Sequence, residues 1–174
     1  VLLPELSPQG LAAAESYAAR LATEDGVRYL DIPALRAALG RQSRETIYLI
    51  DVRTREEYVA GHIPGFRWFP GGQALQRSDE LAVVHNGTVV FACDGKARAT
   101  FAASWYRQLE IQEAYAVDGG TAAWTAAGLA LEKGMQEEPP LGLAEARSSV
   151  AFLSPRELHQ APPPVVIFVD TSQD

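Results

Sequence analysis

Sulfur-containing side chains are scarce in this chain, which has one cysteine, Cys93, and one methionine. A lone cysteine excludes an internal disulfide and fits a reducing compartment. Long apolar runs are also missing, since no stretch approaches the roughly 20 residues needed to span a bilayer. The chain begins at Val1 and shows no signal-peptide pattern. We therefore expect a segment of a longer, cytoplasmic protein.

Positive charge is in deficit, because 15 Lys and Arg residues face 22 Asp and Glu residues for a net charge of -7. This balance lacks the basic footprint that nucleic acid requires of a partner. The hydrophobic fraction of 47% is ordinary for a soluble globular protein. A chain of 174 residues can bury a sizeable core in one domain and still hold extra segments. We expect neither a nucleic-acid nor a membrane partner.

The stretch around Cys93 contains a change of periodicity. The apolar residues 89–91 predict a buried strand, whereas Phe101, Trp105 and Leu109 recur with the spacing of a helix face. Cys93 lies between them, so we expect it at the carboxyl end of a parallel strand and beneath a helix N-terminus. Open α/β sheets place their sites there, and helix N-termini favour anions.

A short loop that contains Lys96 and Arg98 follows Cys93. Nearby cations and a helix N-terminus lower the pKa of a thiol below its reference value of about 8.5. The alternative is that Cys93 is a small buried hydrophobe, as free cysteines often are. The cationic loop favours a reactive thiolate.

Strand and helix signals alternate along the chain. Short apolar runs predict five strands, near residues 27, 46, 66, 88 and 113. Asp31 predicts a helix N-terminus, and Thr54 with Glu57 forms the pattern of a capping box. The alternation predicts an α/β fold, with a mainly parallel five-stranded sheet in a three-layer α/β/α domain.

The end of the chain repeats part of its beginning. Residues 152–158 resemble residues 29–35, and residues 165–170 resemble residues 47–51, both ending on an aspartate. An internal repeat predicts a parent protein with tandem domains. The predicted divisions are a linker and helix from a preceding repeat (1–26), a complete domain (27–130), a linker (131–149) and the truncated start of a following repeat (150–174). We expect residues 165–170 to form a strand that pairs with a second molecule, giving a dimer.

Several motifs together resemble the rhodanese (sulfurtransferase) family. They are Asp51-Val52-Arg53, Glu57-Tyr58, Gly61-His62-Ile63-Pro64-Gly65, the loop from Cys93 to Arg98, and Asp118-Gly119-Gly120 with Trp124. The resemblance covers about residues 27–130. Residues 70–73 and the truncated repeat further resemble bacterial proteins that join several rhodanese domains, which would be partners within the parent chain.

The resemblance implies a sulfurtransferase of the thiosulfate type. Thiolate Cys93 would attack the outer sulfur of a small anionic donor such as thiosulfate, release sulfite and become a persulfide. A thiol or cyanide acceptor would then take the sulfur, without a metal or organic cofactor. The binding loop would consist of Asp94, Gly95, Lys96, Ala97 and Arg98. Its backbone N–H groups would hold the persulfide, while Lys96 and Arg98 would hold the leaving oxyanion.

Supporting roles are expected for Asp51 and Arg53. Asp51 ends a strand at the same edge as Cys93, and both a structural ion pair with Arg53 or Arg98 and a catalytic role stay open. Histidine is a common general base, but in the family the turn that contains His62 is structural.

Two further features bear on the site and the core. Asp94 departs from many family loops, which carry a cation or a neutral residue there. An anion beside the thiol should weaken thiolate stabilisation and repel thiosulfate, which leaves the preferred donor open. We expect Trp105 and Trp124 in the core, and His85 and His159 in solvated loops.

Two other functions compete with sulfur transfer. Phosphatases and arsenate reductases of the same fold use a cysteine loop with five residues between cysteine and arginine, whereas Cys93 and Arg98 enclose four. The shorter loop fits a sulfur atom better than a phosphate. A non-catalytic sulfur carrier or regulatory module is the other alternative, and Asp94 is its best support.

Overall fold

The computed structural model describes residues 7–84, 86–135, 142–150 and 153–160. The chain divides into two compact units, Val1–Gln136 and Glu137–Asp174. Strands of the first unit are β1 (Arg28–Leu30), β2 (Ile47–Asp51), β3 (Arg67–Trp68), β4 (Thr88–Ala92) and β5 (Ala114–Val117). Its helices are α1 (Pro8–Glu24), α2 (Ile32–Leu39), α3 (Arg55–Ala60), α4 (Gly71–Gln76), α5 (Ser78–Leu81), α6 (Ala97–Gln108) and α7 (Gly120–Ala126). The second unit contains α8 (Leu143–Ser149) and α9 (Pro155–Gln160).

All five strands of the first unit run parallel in the order β1-β5-β4-β2-β3. The central strand β4 pairs with β2 from Ile47↔Thr88 to Asp51↔Ala92, so the two strands end level. Asp51 and Cys93 therefore lie at the same carboxyl edge of the sheet. The predicted α/β fold with a parallel five-stranded sheet is confirmed.

The predicted helix caps form as the sequence indicates. Asp31 accepts a hydrogen bond from the Ala34 backbone N–H at 2.8 Å and caps α2. At the start of α3, the Thr54 side chain accepts from the Glu57 backbone N–H, and the Glu57 carboxylate accepts from the Thr54 backbone N–H. These local bonds fix where α2 and α3 leave the sheet.

Helices cover both faces of the sheet. Alternate side chains of β4 point to opposite sides, so each face of the strand packs against different helices. On one face, Phe91 meets Tyr106 of α6 edge to face, with 4.8 Å between ring centroids. On the other, Val90 shares a buried cluster with Leu35 of α2 and Trp124 of α7. This arrangement is the predicted three-layer α/β/α domain.

The prediction that Phe101, Trp105 and Leu109 form the buried face of α6 is wrong. Trp105 and Leu109 are 51% and 50% exposed, so the expectation that Trp105 lies in the core is also wrong. The buried residues of α6, which packs on the sheet, α1 and α4, are mainly small, namely Ala99, Thr100, Ala102, Ala103, Ser104 and Tyr106. Small side chains let the helix approach its neighbours closely. A search for regularly spaced large apolar residues does not detect a face of this kind. Trp124 is buried as expected and donates to the Ala130 carbonyl at 2.9 Å.

Helix α1 packs against α6, where the rings of Tyr17 and Phe101 lie 5.8 Å apart. The assignment of residues 1–26 to a preceding repeat stays a prediction, as do the other domain divisions. The predicted pairing strand 165–170 and His85 lie outside the described residues, whereas His159 is exposed. Over the described ranges, each helix is too short or too polar to cross a membrane.

Candidate active site

Cys93 is the first residue after the central strand β4 and is fully buried. The strand is held to its neighbour up to its last residue, since the Val52 backbone N–H donates to the Ala92 carbonyl at 3.0 Å. The sequence-based placement of Cys93 at the carboxyl end of a buried strand and next to α6 agrees with the structure. The backbone that presents the thiol is therefore rigid on its strand side.

The other side of the Cys93 loop rests on the first turn of α7. The Thr121 backbone N–H donates to the Cys93 carbonyl at 2.8 Å, and the Ala122 N–H donates to the Asp94 carbonyl at 3.1 Å. The C=O and N–H of a trans peptide point in opposite directions. Drawing the Asp94 carbonyl toward α7 therefore turns the Gly95 N–H the other way, and this N–H lowers the pKa of the Cys93 thiol.

Gly120 allows this close approach of α7. Its φ angle is +52°, and a Cβ atom there would lie 2.1 Å from the Cys93 carbonyl oxygen. Glycine adopts positive φ without steric cost and leaves that space empty. The Asp118-Gly119-Gly120 motif thus sets the path of the cysteine loop.

Burial raises the pKa of the Cys93 thiol, and the charge of Asp94 raises it further. Backbone N–H groups of Ala99 and Gly95 and the charge of Arg98 lower it, but they do not offset the loss of solvent. The expectation of a lowered thiol pKa is wrong. The sequence shows the cations of the loop, but it shows neither the burial of the sulfur nor the partners that neutralise those cations.

Arg98 is held by two carboxylates. Its Nη1 donates to Glu57 Oε2 at 2.8 Å, and its Nη2 lies 2.6 Å from Glu57 Oε1 and 2.8 Å from Asp94 Oδ1. The hydrogen bond from Arg98 lowers the pKa of Glu57 to about 2. Desolvation raises the pKa of Asp94, but the hydrogen bond with Arg98 and the positive charge of Arg98 together outweigh it and lower the pKa. All three side chains are thus charged at neutral pH.

Lys96 turns toward the opposite side of the site. Its Nζ lies 3.1 Å from Asp118 Oδ1 and 4.2 Å from the centre of the Tyr29 ring. Tyr29 belongs to β1 and Asp118 follows β5, whereas the Arg98 partner Glu57 belongs to α3, beyond β2. The two cations of the loop therefore lie on either side of Cys93, each engaged with acidic groups.

Asp51 and Arg53 form a buried ion pair. Arg53 Nη2 donates to Asp51 Oδ2 at 2.6 Å and to the Gly61 carbonyl at 2.7 Å. Asp51 is fully buried and Arg53 is 6% exposed. Of the two partners that the sequence left open for Asp51, the structure shows Arg53. This contact joins the end of β2 to the turn after α3, a structural arrangement next to the cysteine loop.

His62 is buried in the turn after α3. Its ring stacks on Tyr58 with 3.8 Å between centroids, and Nδ1 lies 3.0 Å from the Tyr58 carbonyl oxygen. Nε2 lies 3.6 Å from Glu132 Oε2, and the backbones of these two residues pair as an antiparallel bridge. These contacts match the structural role expected for the turn.

Sequence reasoning missed three residues that shape the site. The sequence indicates Glu57 as part of a capping box and of a family motif, and Asp118 and Gly120 as parts of another family motif, but it assigns none of the three a role at the site. No local pattern reveals that Glu57 also meets Arg98, which lies 41 positions later. Over the part of the chain that the structure describes, no group of three or more His, Cys, Asp or Glu side chains could hold a metal ion.

Known proteins resemble this chain in sequence and in fold. The sulfurtransferase from Pseudomonas aeruginosa that acts on thiosulfate has a solved structure with 34% identity and a TM-score of 0.67, covering 84% of this chain and 29% of that one. YrkF of Bacillus subtilis, named for a proposed role as a sulfur carrier, is 31% identical over 83 residues, or 48% of this chain and 44% of YrkF. The uncharacterized protein YqhL of the same species is 36% identical over 76 residues, or 44% of this chain and 59% of YqhL.

The chain spans about half the length of these curated relatives and 29% of the Pseudomonas chain. The profile of the rhodanese-like domain family matches residues 34–127, which include the strand, loop and helices around Cys93. The chain therefore belongs to the rhodanese-like domain family.

Proposed function

We propose that this chain is a sulfurtransferase that moves a sulfane sulfur from thiosulfate or a similar donor to a thiol or cyanide through a persulfide on Cys93. The observation that carries the proposal is the position of Cys93 at the carboxyl end of the central strand β4, with its carbonyl held by the Thr121 N–H of α7 at 2.8 Å. The Gly95 and Ala99 N–H groups act against the rise in thiol pKa that burial causes. The family and the Pseudomonas neighbour support the same chemistry.

The reaction would proceed in two displacements. The Cys93 thiolate attacks the outer sulfur of the donor, and the donor's S–S bond breaks with its electron pair on the leaving group. The acceptor then attacks the outer sulfur of the Cys93 persulfide and restores the thiolate. The Gly95 and Ala99 N–H groups donate to the anionic sulfur in both states, as a nest of amides does for other anions.

Two features of the resting site constrain this reaction. Because burial raises the pKa of Cys93, the thiol is mainly protonated at neutral pH and must lose its proton during donor binding. Because Cys93 is fully buried, the loop must also move before a donor reaches the sulfur. Donor binding and thiol activation are therefore coupled in this proposal.

A sulfur carrier without efficient turnover is the second candidate. The paired state of Lys96 and Arg98 favours it, since neither cation is free to bind a small anionic donor. The name of the relative YrkF points the same way. A carrier would accept one sulfur from a partner but would turn over thiosulfate and cyanide slowly.

Mass spectrometry and steady-state turnover test both candidates. After incubation with a sulfane donor, the wild-type chain should gain one sulfur atom, and Cys93→Ser should gain none and lose turnover while unfolding at the same temperature. Most of the wild-type turnover remaining in the serine variant would rule out the proposed chemistry. Loading without turnover would favour the carrier.

A further inference from the structure

Two carboxylates pair with the guanidinium of Arg98, so the negative charge around it exceeds its own positive charge. Glu57 takes both Nη atoms in the two-pronged geometry that arginine offers to a planar pair of oxygens, and Asp94 adds a third contact. An oxyanion donor would need the same fork. An oxyanion donor that bound Arg98 in this two-pronged way would have to compete with the Glu57 carboxylate.

Lys96, the second cation of the loop, does not offset this excess of negative charge. Lys96 pairs with Asp118, so the three carboxylates at the loop face two cations and leave one net negative charge. The neighbouring Asp51 and Arg53 pair adds no net charge. A donor thus approaches a site whose cations are already neutralised.

Sulfane donors differ in the charge that they bring to such a site. Thiosulfate is a dianion, and it leaves as sulfite, whose oxygens also need cationic or hydrogen-bonding partners. The persulfide of an uncharged thiol carries one charge, on its terminal sulfur. After this sulfur is transferred, the leaving group is a thiolate with a single charge. Like-charge repulsion near a protein surface therefore disfavours thiosulfate more strongly than a persulfide.

We propose that Glu57 and Asp94 are specificity-determining residues that select thiol persulfides over thiosulfate as sulfur donors. The proposal rests on the proposed function of Cys93. In the transfer, the Cys93 thiolate bonds to the terminal sulfur of R–S–S⁻, the donor's S–S bond breaks, and the thiolate R–S⁻ leaves with the electron pair. Cys93 becomes a persulfide, R–S⁻ takes a proton from water, and no oxidant or reductant is consumed.

The test compares two donors, thiosulfate and 2-hydroxyethyl persulfide, whose only charge is on its terminal sulfur, with cyanide as the acceptor. The variants are Glu57→Gln, Asp94→Asn and the double variant, which keep the side-chain shapes and remove the charges. Glu45→Gln is the matched control, because it removes a carboxylate from an exposed ion pair with Arg41. Glu45 precedes β2 and so lies at the edge of the sheet opposite Cys93.

We expect wild-type kcat/KM to be at least tenfold higher for the persulfide than for thiosulfate. The double variant should raise kcat/KM for thiosulfate about tenfold or more and change the persulfide value less than threefold, while Glu45→Gln changes neither. Salt screens exposed charges, so raising the ionic strength should increase the wild-type rate with thiosulfate. It should lower the rate of the double variant, whose site keeps one net positive charge from Lys96, Arg98 and Asp118.

Three outcomes overturn the proposal in distinguishable ways. A wild-type chain that prefers thiosulfate contradicts the specificity, and so does a donor ratio that the charge-removing variants leave unchanged. In both cases sulfur transfer through Cys93 still stands. Failure of the wild-type chain to take sulfur from either donor instead removes the proposed function and this inference with it. Thermal unfolding of each variant shows whether a lost rate reflects lost folding.

Discussion

Gly120 lies close against the backbone of the Cys93 loop, and Gly120→Ala perturbs this contact directly. A Cβ atom at position 120 would lie 2.1 Å from the Cys93 carbonyl oxygen and 2.8 Å from that of Gly95. Contacts below 3.0 Å are essentially never seen for a real Cβ. The loop and α7 must therefore separate by about 1 Å, because both sides of the contact are backbone and cannot rotate away.

The cost of this substitution has two parts. Alanine at a left-handed φ of +52° is destabilised by about 1–2 kcal/mol. Separation also weakens the hydrogen bonds from Thr121 and Ala122 to the loop carbonyls, each contributing about 1 kcal/mol. We expect a total loss of about 2–4 kcal/mol in the free energy of unfolding. A displacement near 1 Å at the reacting atom can lower a rate about 100-fold, so sulfur transfer should fall by that order.

Gly128→Ala is the control that separates the backbone strain of alanine at positive φ from the displacement of the Cys93 loop. Gly128 has a similar φ of +75°, but an added Cβ there would meet nothing within 4 Å. This control should lose about 1–2 kcal/mol and retain its rate of sulfur transfer. Urea unfolding measures the stabilities, and persulfide formation on Cys93 measures the rates. If Gly120→Ala transferred sulfur as fast as Gly128→Ala, the positioning of the loop by α7 would be refuted.

Three other predictions follow from the charges near the site. Arg53→Met should cost about 3–5 kcal/mol of unfolding free energy in urea, because it leaves buried Asp51 without its cation. A double variant with Asp51→Leu should recover part of this loss, and the absence of any recovery would contradict this explanation. Glu57→Gln should cost about 1 kcal/mol at pH 7 after allowance for its 34% exposure. Since the folded pKa of Glu57 is lowered from 4.5 to about 2, this difference should vanish in unfolding curves as pH falls through that interval, and a constant difference would refute the linkage. Because the pKa of Cys93 is raised above 9.0, the rate of persulfide formation should still climb at pH 9, and a plateau near pH 7 would show that the site activates the thiol.

The fold and the position of Cys93 were predictable because they depend on local patterns. Strand and helix periods, the capping box of Thr54 and Glu57, and the change of period at Cys93 each lie within a few neighbouring residues. Parallel strands with intervening helices admit few arrangements. The face of α6 was not predictable in the same way, since its alanines pack by being small rather than by being strongly apolar.

The sequence by itself determined the α/β class, the family motifs and the position of the one cysteine in the chain. Only the tertiary structure decided the electrostatic state of that cysteine. The thiol pKa depends on burial, and the free charge of Lys96 and Arg98 depends on Asp118 and Glu57, which come from other elements of the fold. Coulomb energies depend on distance and on solvent exposure, and neither quantity is set by the order of residues in a loop.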